Sequence, residues 1–180
     1  MKKLVCLLSL ALILVGCSTT PKNEATPTPE ATQTPSVDQG EEGTTGGETA
    51  NLTELQKKID AVLNSGKYEL PGFMMADEAT LGNLYYLTTE DVNDYAIFLP
   101  MMNVQATEIM VVEAKDGKVD AVKEALDKRL ADLDSTWAKY LPAQYELVQN
   151  HVTFTEGNNV VVVIAEDAQA IADDIQTALK

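Results

Sequence analysis

The chain has 180 residues, 45% of them apolar, and a formal net charge of −15. This length predicts one globular domain besides any non-globular segments. An acidic surface repels phosphate backbones and anionic lipid headgroups, so the charge argues against nucleic-acid partners and against membrane docking through a basic face. Both cysteines, Cys6 and Cys17, stand near the N-terminus, which excludes a disulfide or a thiolate zinc site in the rest of the chain.

The first residues have the pattern of a lipoprotein signal peptide. Two lysines precede an apolar segment at residues 4–15, which is shorter than the roughly 20 residues that a membrane-spanning helix needs. The segment ends in Leu-Val-Gly-Cys, which resembles the bacterial lipobox and implies that Cys17 becomes the lipidated first residue. We expect residues 1–16 to be removed and lipid to hold the protein at the extracytoplasmic face of the cell membrane. The alternatives are an ordinary secretory signal and a cytoplasmic protein with an apolar N-terminus.

The segment that follows Cys17 has the composition of a spacer. Residues 18–50 contain one large apolar side chain, Val37, among threonine, proline, glutamate and glycine, so they cannot bury enough apolar surface to fold. A flexible chain of this length has a mean end-to-end distance of roughly 30–35 Å. We expect residues 17–50 to be the lipidated cysteine and a disordered tether, with a glycosylated stalk as the alternative. The globular domain is then residues 51–180.

The first half of the domain predicts one helix and one hairpin. Apolar residues recur at helical spacing from Leu52 to Leu63, after a cap at Asn51 or Thr53. Residues 67–91 are mixed, with one helical turn from Asp77 to Leu81. Two strands follow at residues 94–102 and 106–114. Because Pro100 lacks an N–H group, it predicts that the first of these strands lies at an edge or is bulged near its end.

The second half predicts two helices and a second hairpin. A long helix begins after Gly117, ends near Tyr140 and carries its apolar residues in one stripe. The stripe consists of Val119, Val122, Leu126, Leu130, Leu133 and Trp137. Strands at residues 145–154 and 160–165 form the hairpin, and the last helix begins at Asp167. The fold class is therefore α+β in the order α-β-β-α-β-β-α, with a four-stranded, mostly antiparallel sheet and helices mainly on one face.

The residue inventory argues against the common catalytic sites. The single histidine, His151, alternates with polar residues on its predicted strand, and Ser65 and Ser135 stand at predicted helix ends without a nucleophile motif. The acidic residues 90–94 lack the glycine and the later glutamate of an EF-hand calcium loop. We therefore expect no catalytic residue, no metal and no cofactor, although the many carboxylates leave a carboxylate-based hydrolase open.

One polar pair stands out. Arg129 is the only arginine and borders the apolar stripe of the long helix. Glu108 lies between Ala106 and Met110 on one face of a predicted strand, where a carboxylate is costly unless it is paired or solvated. A bidentate contact between Arg129 and Glu108 is the structural interpretation. A site for the carboxylate of a ligand at Arg129 is the functional alternative.

The methionines are a second candidate feature. The domain contains Met74, Met75, Met101, Met102 and Met110. Unbranched thioethers adapt to varied surfaces, so a cluster of them on an open face can form an interaction surface. The alternative is that they fill gaps between the sheet and its helices.

Several motifs between residues 55 and 180 together resemble one protein family. They are Pro100-Met101, Glu108-Ile109, Arg129, the helix end from Trp137 to Tyr140, Asn150 and the closing valine run. In this pattern the chain is similar to uncharacterised lipoproteins of clostridial-type bacteria that carry a C-terminal domain of unknown function. The resemblance implies a surface lipoprotein without an established activity.

Two functions follow as hypotheses. The first is a membrane-anchored, non-enzymatic binding or interaction module at the cell envelope, with an envelope protein or a small ligand as its partner. The second is a hydrolase that acts on cell-envelope material through carboxylates. A closed cleft with two facing carboxylates would favour the hydrolase, and an open apolar surface would favour the binding module.

Replacing Cys17 with alanine should release the protein from membranes, because the lipid attached there is the predicted anchor. Detergent-phase partitioning of the Cys17→Ala variant and mass spectrometry of the wild-type N-terminus measure this. A Cys6→Ala variant, which leaves the lipobox intact, is the control and should stay in the detergent phase. An unmodified Cys17 in the wild-type protein would contradict the prediction.

Overall fold

The computed structural model describes residues 52–180, which contain five helices and five strands. In chain order they are α1 (Glu54–Leu63), β1 (Phe73–Met75), α2 (Glu78–Tyr85), β2 (Val92–Pro100), β3 (Glu108–Ala114), α3 (Val119–Trp137), α4 (Pro142–Gln149), β4 (Val152–Glu156), β5 (Asn159–Ile164) and α5 (Ala168–Leu179). The predicted signal peptide, Cys17 and the predicted tether lie outside the described residues. The α+β class and the antiparallel sheet are as predicted, but the sheet has five strands instead of four.

The five strands form one antiparallel sheet in the order β1-β2-β3-β5-β4. Phe73 at the start of β1 pairs with Pro100 at the end of β2, and Glu108 at the start of β3 pairs with Ile164 at the end of β5. One end of the sheet therefore gathers the ends of β2 and β5 and the starts of β1, β3 and β4.

The interpretation of Pro100 was wrong, because β2 lies inside the sheet between β1 and β3. The irregular register of β2 falls between Val92 and Asp94, at the opposite end of the strand. The N–H of Met101 donates to Gly72 O on the β1 side at 2.9 Å, so the nitrogen of Pro100 faces β3. The last pair with β3 is Phe98–Ile109, and Pro100 therefore costs the sheet no hydrogen bond.

Helices cover both faces of the sheet, which corrects the expectation that they lie mainly on one. Helices α1 and α5 pack on one face, and α2, α3 and α4 pack on the other. The residues of strand β5 alternate between the two cores. Val161 and Val163 belong to the core under α1 and α5, and the other core contains Val160, Val162 and Ile164. A strand buried on both faces has a continuous apolar run without alternation.

The segment from residue 67 to 91 contains two elements that the sequence pattern did not predict in full. Strand β1 has only three residues and pairs with β2 at the edge of the sheet. Helix α2 begins where one helical turn was predicted, and the side chain of Asp77 caps it by accepting the N–H of Thr80 at 2.7 Å.

The strand predicted at residues 145–154 was wrong over its first half. Residues 142–149 form α4, and β4 begins only at Val152. Pro142 stands at the first turn of α4, where its missing N–H costs nothing. Val148 is buried and Tyr145 packs beside it, one helical turn apart. Because this segment is short, its apolar residues fit both a strand and a helix.

The long helix was predicted correctly. Its stripe faces the sheet, with Val122, Leu126, Leu133 and Trp137 buried and the other two members partly buried. Helix α1 begins with a capping box between Thr53 and Gln56, so Thr53 is the cap of the two residues that the sequence offered. Within residues 52–180, every helix is too short or too polar to cross a bilayer.

Leu126→Ala in α3 and Ile171→Ala in α5 should each lower the free energy of unfolding by about 2–5 kcal/mol, since the two side chains are buried on opposite faces of the sheet. Urea denaturation of the full chain measures the loss. Glu124→Ala at an exposed position of α3 is the control and should change it by less than about 0.5 kcal/mol. A loss confined to the Leu126 variant would contradict a core on each face.

Candidate functional site

A groove of about 360 Å³ opens at the end of the sheet where β2 ends and β3 begins. We call it the methionine groove. The C-terminal half of α3 forms one wall, and β1, β2 and residues 101–106 form the other. Its apolar lining consists of Met74, Leu99, Met101, Met102, Leu133 and Trp137. Its volume lies near the lower end of the roughly 300–1,000 Å³ typical of small-molecule sites.

The loop that carries two of these methionines, residues 101–107, is held by hydrogen bonds along its length. The N–H of Met101 donates to Gly72 O at 2.9 Å, and the N–H of Gln105 donates to Met102 O at 3.2 Å. The N–H of Ala106 donates to Oε1 of Gln144 in α4 at 2.7 Å. A side chain at position 72 would meet the sulfur of Met101 at 3.3 Å, so the glycine there leaves room for that thioether.

The structure separates the five methionines into two groups. Met101, Met102 and Met74 are exposed at 70%, 57% and 54%, and all three line the groove. Met110 is 0% exposed in the core beneath α3. Met75 points to the other face of the sheet, because neighbouring residues of a strand alternate between faces, and it packs on the core under α1 and α5.

Arg129 and Glu108 meet at the floor of the methionine groove. Arg129 donates from Nη2 to Oε2 of Glu108 at 2.8 Å and from Nε to Oε1 at 3.1 Å, which is a bidentate ion pair. The hydroxyl of Tyr85 in α2 donates to the same Oε1 at 2.7 Å. The side chain of Glu108 is 2% exposed and that of Arg129 is 14% exposed, so three donors satisfy a buried carboxylate.

The surroundings of the ion pair shift the pKa values of Arg129 and Tyr85. Burial alone would lower the pKa of Arg129, but the hydrogen bonds and the charge of Glu108 raise it above its ordinary value. Burial, reinforced by the negative charge of Glu108, raises the pKa of Tyr85. Tyr85 is therefore a neutral hydrogen-bond donor at physiological pH, beside a charged guanidinium that lies over its ring at 5.3 Å.

Arg129 keeps donors that the pair does not use. Its Nε and Nη2 atoms face Glu108, whereas Nη1 makes no hydrogen bond to any residue of the 52–180 region. The side chain of Arg129 is 14% exposed and belongs to the lining of the groove. The groove therefore presents an apolar wall of thioethers, an indole and one charged N–H donor group.

A second, more polar cleft of about 290 Å³ lies beside the groove, and we call it the acidic cleft. Its polar lining consists of Glu69, Gln105, Thr107, Gln144 and Glu166. Gln105 lines both cavities, so the two adjoin. No local sequence pattern predicts this cleft, because its lining residues lie far apart in the chain.

The other residues considered for catalysis lie apart from the groove lining. The ring of His151 contacts Val148 O through Nδ1 at 2.7 Å, a local contact at the end of α4. Ser65 and Ser135 are both exposed. Residues 90–94 cover a turn and the start of β2, and Asp91 there bonds to Thr88 and Lys118. No group of three or more histidine, cysteine or acidic side chains within residues 52–180 is arranged to hold a metal.

The fold and the groove define an α+β domain with an apolar site over a buried ion pair, and comparison with known proteins identifies its family. The chain belongs to the family described as a domain of unknown function (DUF4358), whose model matches residues 67–165. The match spans β1 to β5 and all the lining of the methionine groove, and it leaves out α1 and α5. No curated protein and no solved structure matches the chain.

Mild peroxide should oxidise Met101, Met102 and Met74 in the folded protein well before Met110, because the first three are exposed and Met110 is buried. Peptide mass spectrometry after timed exposure measures the order. In urea above the unfolding transition, all the methionines of the domain should react at similar rates, which is the control. Protection of Met101 and Met102 in the folded protein would contradict the exposed groove.

Glu108→Leu should lower the free energy of unfolding by about 3–5 kcal/mol, because it leaves the guanidinium of Arg129 buried without its partner. The double variant Glu108→Leu/Arg129→Met should recover part of that loss, since no charge then remains at the site, although the buried hydroxyl of Tyr85 still lacks its acceptor. Urea denaturation of Glu108→Leu, Arg129→Met and the double variant measures the coupling.

Glu54→Gln, which breaks the exposed Lys57–Glu54 pair, is the matched control and should leave the free energy of unfolding unchanged. Equal losses from Glu108→Leu and from the double variant would mean that the buried pair contributes nothing beyond the packing of its side chains.

Proposed function

We propose that this protein is a membrane-anchored bacterial lipoprotein of the kind found in clostridial-type bacteria. Its extracytoplasmic domain would be a non-enzymatic binding module. The lipobox-like residues that end at Cys17 support the anchor, and residues 18–50 would be the spacer between the lipid and the domain. The ligand site would be the methionine groove. One observation carries this assignment: three exposed methionines line the same groove as a guanidinium whose Nη1 makes no hydrogen bond to any residue of the 52–180 region.

The chemistry of the groove supports binding. Exposed large apolar side chains that gather at one place on a protein are typical of interaction surfaces. Thioethers adapt their shape to a partner. Met101, Met102 and Met74 supply exposed thioethers in one groove, Trp137 forms part of its wall, and the guanidinium of Arg129 supplies a polar group.

The same geometry gives the hydrolase hypothesis less support. A glycosidase-type mechanism needs two carboxylates across the scissile bond, one of them able to exchange a proton. The methionine groove contains one carboxylate among the described residues, Glu108, and three donors from Arg129 and Tyr85 occupy it. A carboxylate held in this way is suited to fixing an arginine in place. The acidic cleft contains two carboxylates, Glu69 and Glu166, but both are exposed to solvent, so neither is set in the apolar surroundings that suit a general acid.

A photo-crosslinking amino acid placed at Met102 of the full lipidated chain in its native membrane should give a discrete adduct. The matched control is the same amino acid at Asp120, an exposed position in the first turn of α3, far along the helix from the groove. Adding Met101→Asp to the Met102 variant should strongly weaken the adduct, because it places a charge in the groove at a side chain that is exposed and outside the core. Equal labelling from positions 102 and 120, or no adduct from position 102, would contradict the proposal.

A further inference from the structure

We infer that the methionine groove and the acidic cleft together bind one extended peptide segment of a partner protein, in which an apolar side chain stands close to a lysine or arginine. This inference rests on the proposed binding function and adds the chemistry of the partner. The apolar side chain would enter the groove between Met101, Met102 and Trp137, and the basic side chain would lie in the cleft near Glu69 and Glu166.

The two cavities form one continuous depression on the surface of the domain. They adjoin at Gln105, in a loop whose backbone is held by Gly72 and Gln144. One cavity is lined mainly by apolar side chains and the other mainly by polar ones. A ligand that fills both must therefore carry apolar and polar groups next to each other, as neighbouring side chains of a peptide do.

The methionine groove and the acidic cleft differ in net charge. In the groove, Arg129 and Glu108 neutralise each other. In the cleft, neither Glu69 nor Glu166 forms an ion pair with any residue in the described part of the chain, and both are exposed. The cleft therefore has two carboxylates with unbalanced charge, and a cationic side chain is its electrostatic complement.

Net charge argues against two other occupants of the groove, a second copy of this chain and an anionic lipid surface. A second copy of this chain would carry the same net charge of −15, so the two copies would repel each other. An anionic lipid surface is repelled for the same reason. A peptide backbone also suits the polar groups beside the junction, where the amides of Gln105 and Gln144 can pair with its carbonyl and N–H groups.

The experiment begins with panning a random-sequence peptide display library on the full chain. Sequences with an apolar residue within a few positions of lysine or arginine should be enriched over the starting library. An enriched peptide is then titrated while the fluorescence of Trp137 is followed, because this residue is the only tryptophan and lines the groove.

A double variant isolates the role of the cleft. Glu69→Gln/Glu166→Gln should weaken binding of the enriched peptide roughly 3- to 30-fold, the range expected for two partly exposed ion pairs. Glu124→Gln/Asp127→Asn, which removes the same charge from exposed positions of α3, is the matched control and should have little effect. Replacing the basic residue of the peptide by glutamine should weaken binding to the wild-type chain and not to the cleft variant.

The possible outcomes separate the inference from the proposed function. Enrichment of apolar peptides without a basic residue would overturn the inference and leave the groove as a binding site. A fluorescence shift with neutral phosphatidylcholine vesicles and no peptide enrichment would identify a lipid surface as the occupant. Concentration-dependent dimers that protect Met101 and Met102 from oxidation would identify a second copy. The absence of enrichment, vesicle binding and dimers would overturn both.

Discussion

A buried carboxylate on the central strand is the constraint on which much of this structure depends. Glu108 begins β3 and is almost fully removed from solvent, so it requires donors from elsewhere in the fold. Arg129 reaches it from α3 and Tyr85 reaches it from α2, and both helices are thereby tied to the same point of the sheet. A one-residue shift of β3 would move the carboxylate to the opposite face, where α1 and α5 pack without a cation in their core. The pair thus favours a single register.

The elements that could be predicted from sequence are those with long, regular patterns. Helix α3 has 19 residues and an apolar stripe over five turns, and it was predicted correctly. Strand β1 has three residues, too few for any periodic pattern, and its place in the sheet depends on pairing with β2. Helix α4 has eight residues, and only its burial beside α3 distinguishes it from a strand. The valine run of β5 does not alternate with polar residues, and this is the sequence signal for helices on both faces of the sheet.

For the site, the sequence identified groups by their chemistry but not by their position in space. The cost of a carboxylate between apolar neighbours led to Arg129 and Glu108, which the fold brings together. The methionines were treated as one set, although strand alternation separates Met74 from Met75 and burial removes Met110. The acidic cleft was out of reach, because its lining comes from four distant segments that only the topology brings together. Residues this far apart in the chain share no local pattern.

The hydrogen bonds that hold the loop at residues 101–107 have an entropic consequence. Ordering a free loop on binding costs conformational entropy for each residue, and this loop has already lost that freedom during folding. The freedom that remains at the groove lies in the side-chain torsions of the exposed methionines. A ligand in the groove contacts a backbone that is already ordered and methionine side chains that can still change conformation. Such a surface tolerates variation in the shape of an apolar group while it keeps the position of that group constant.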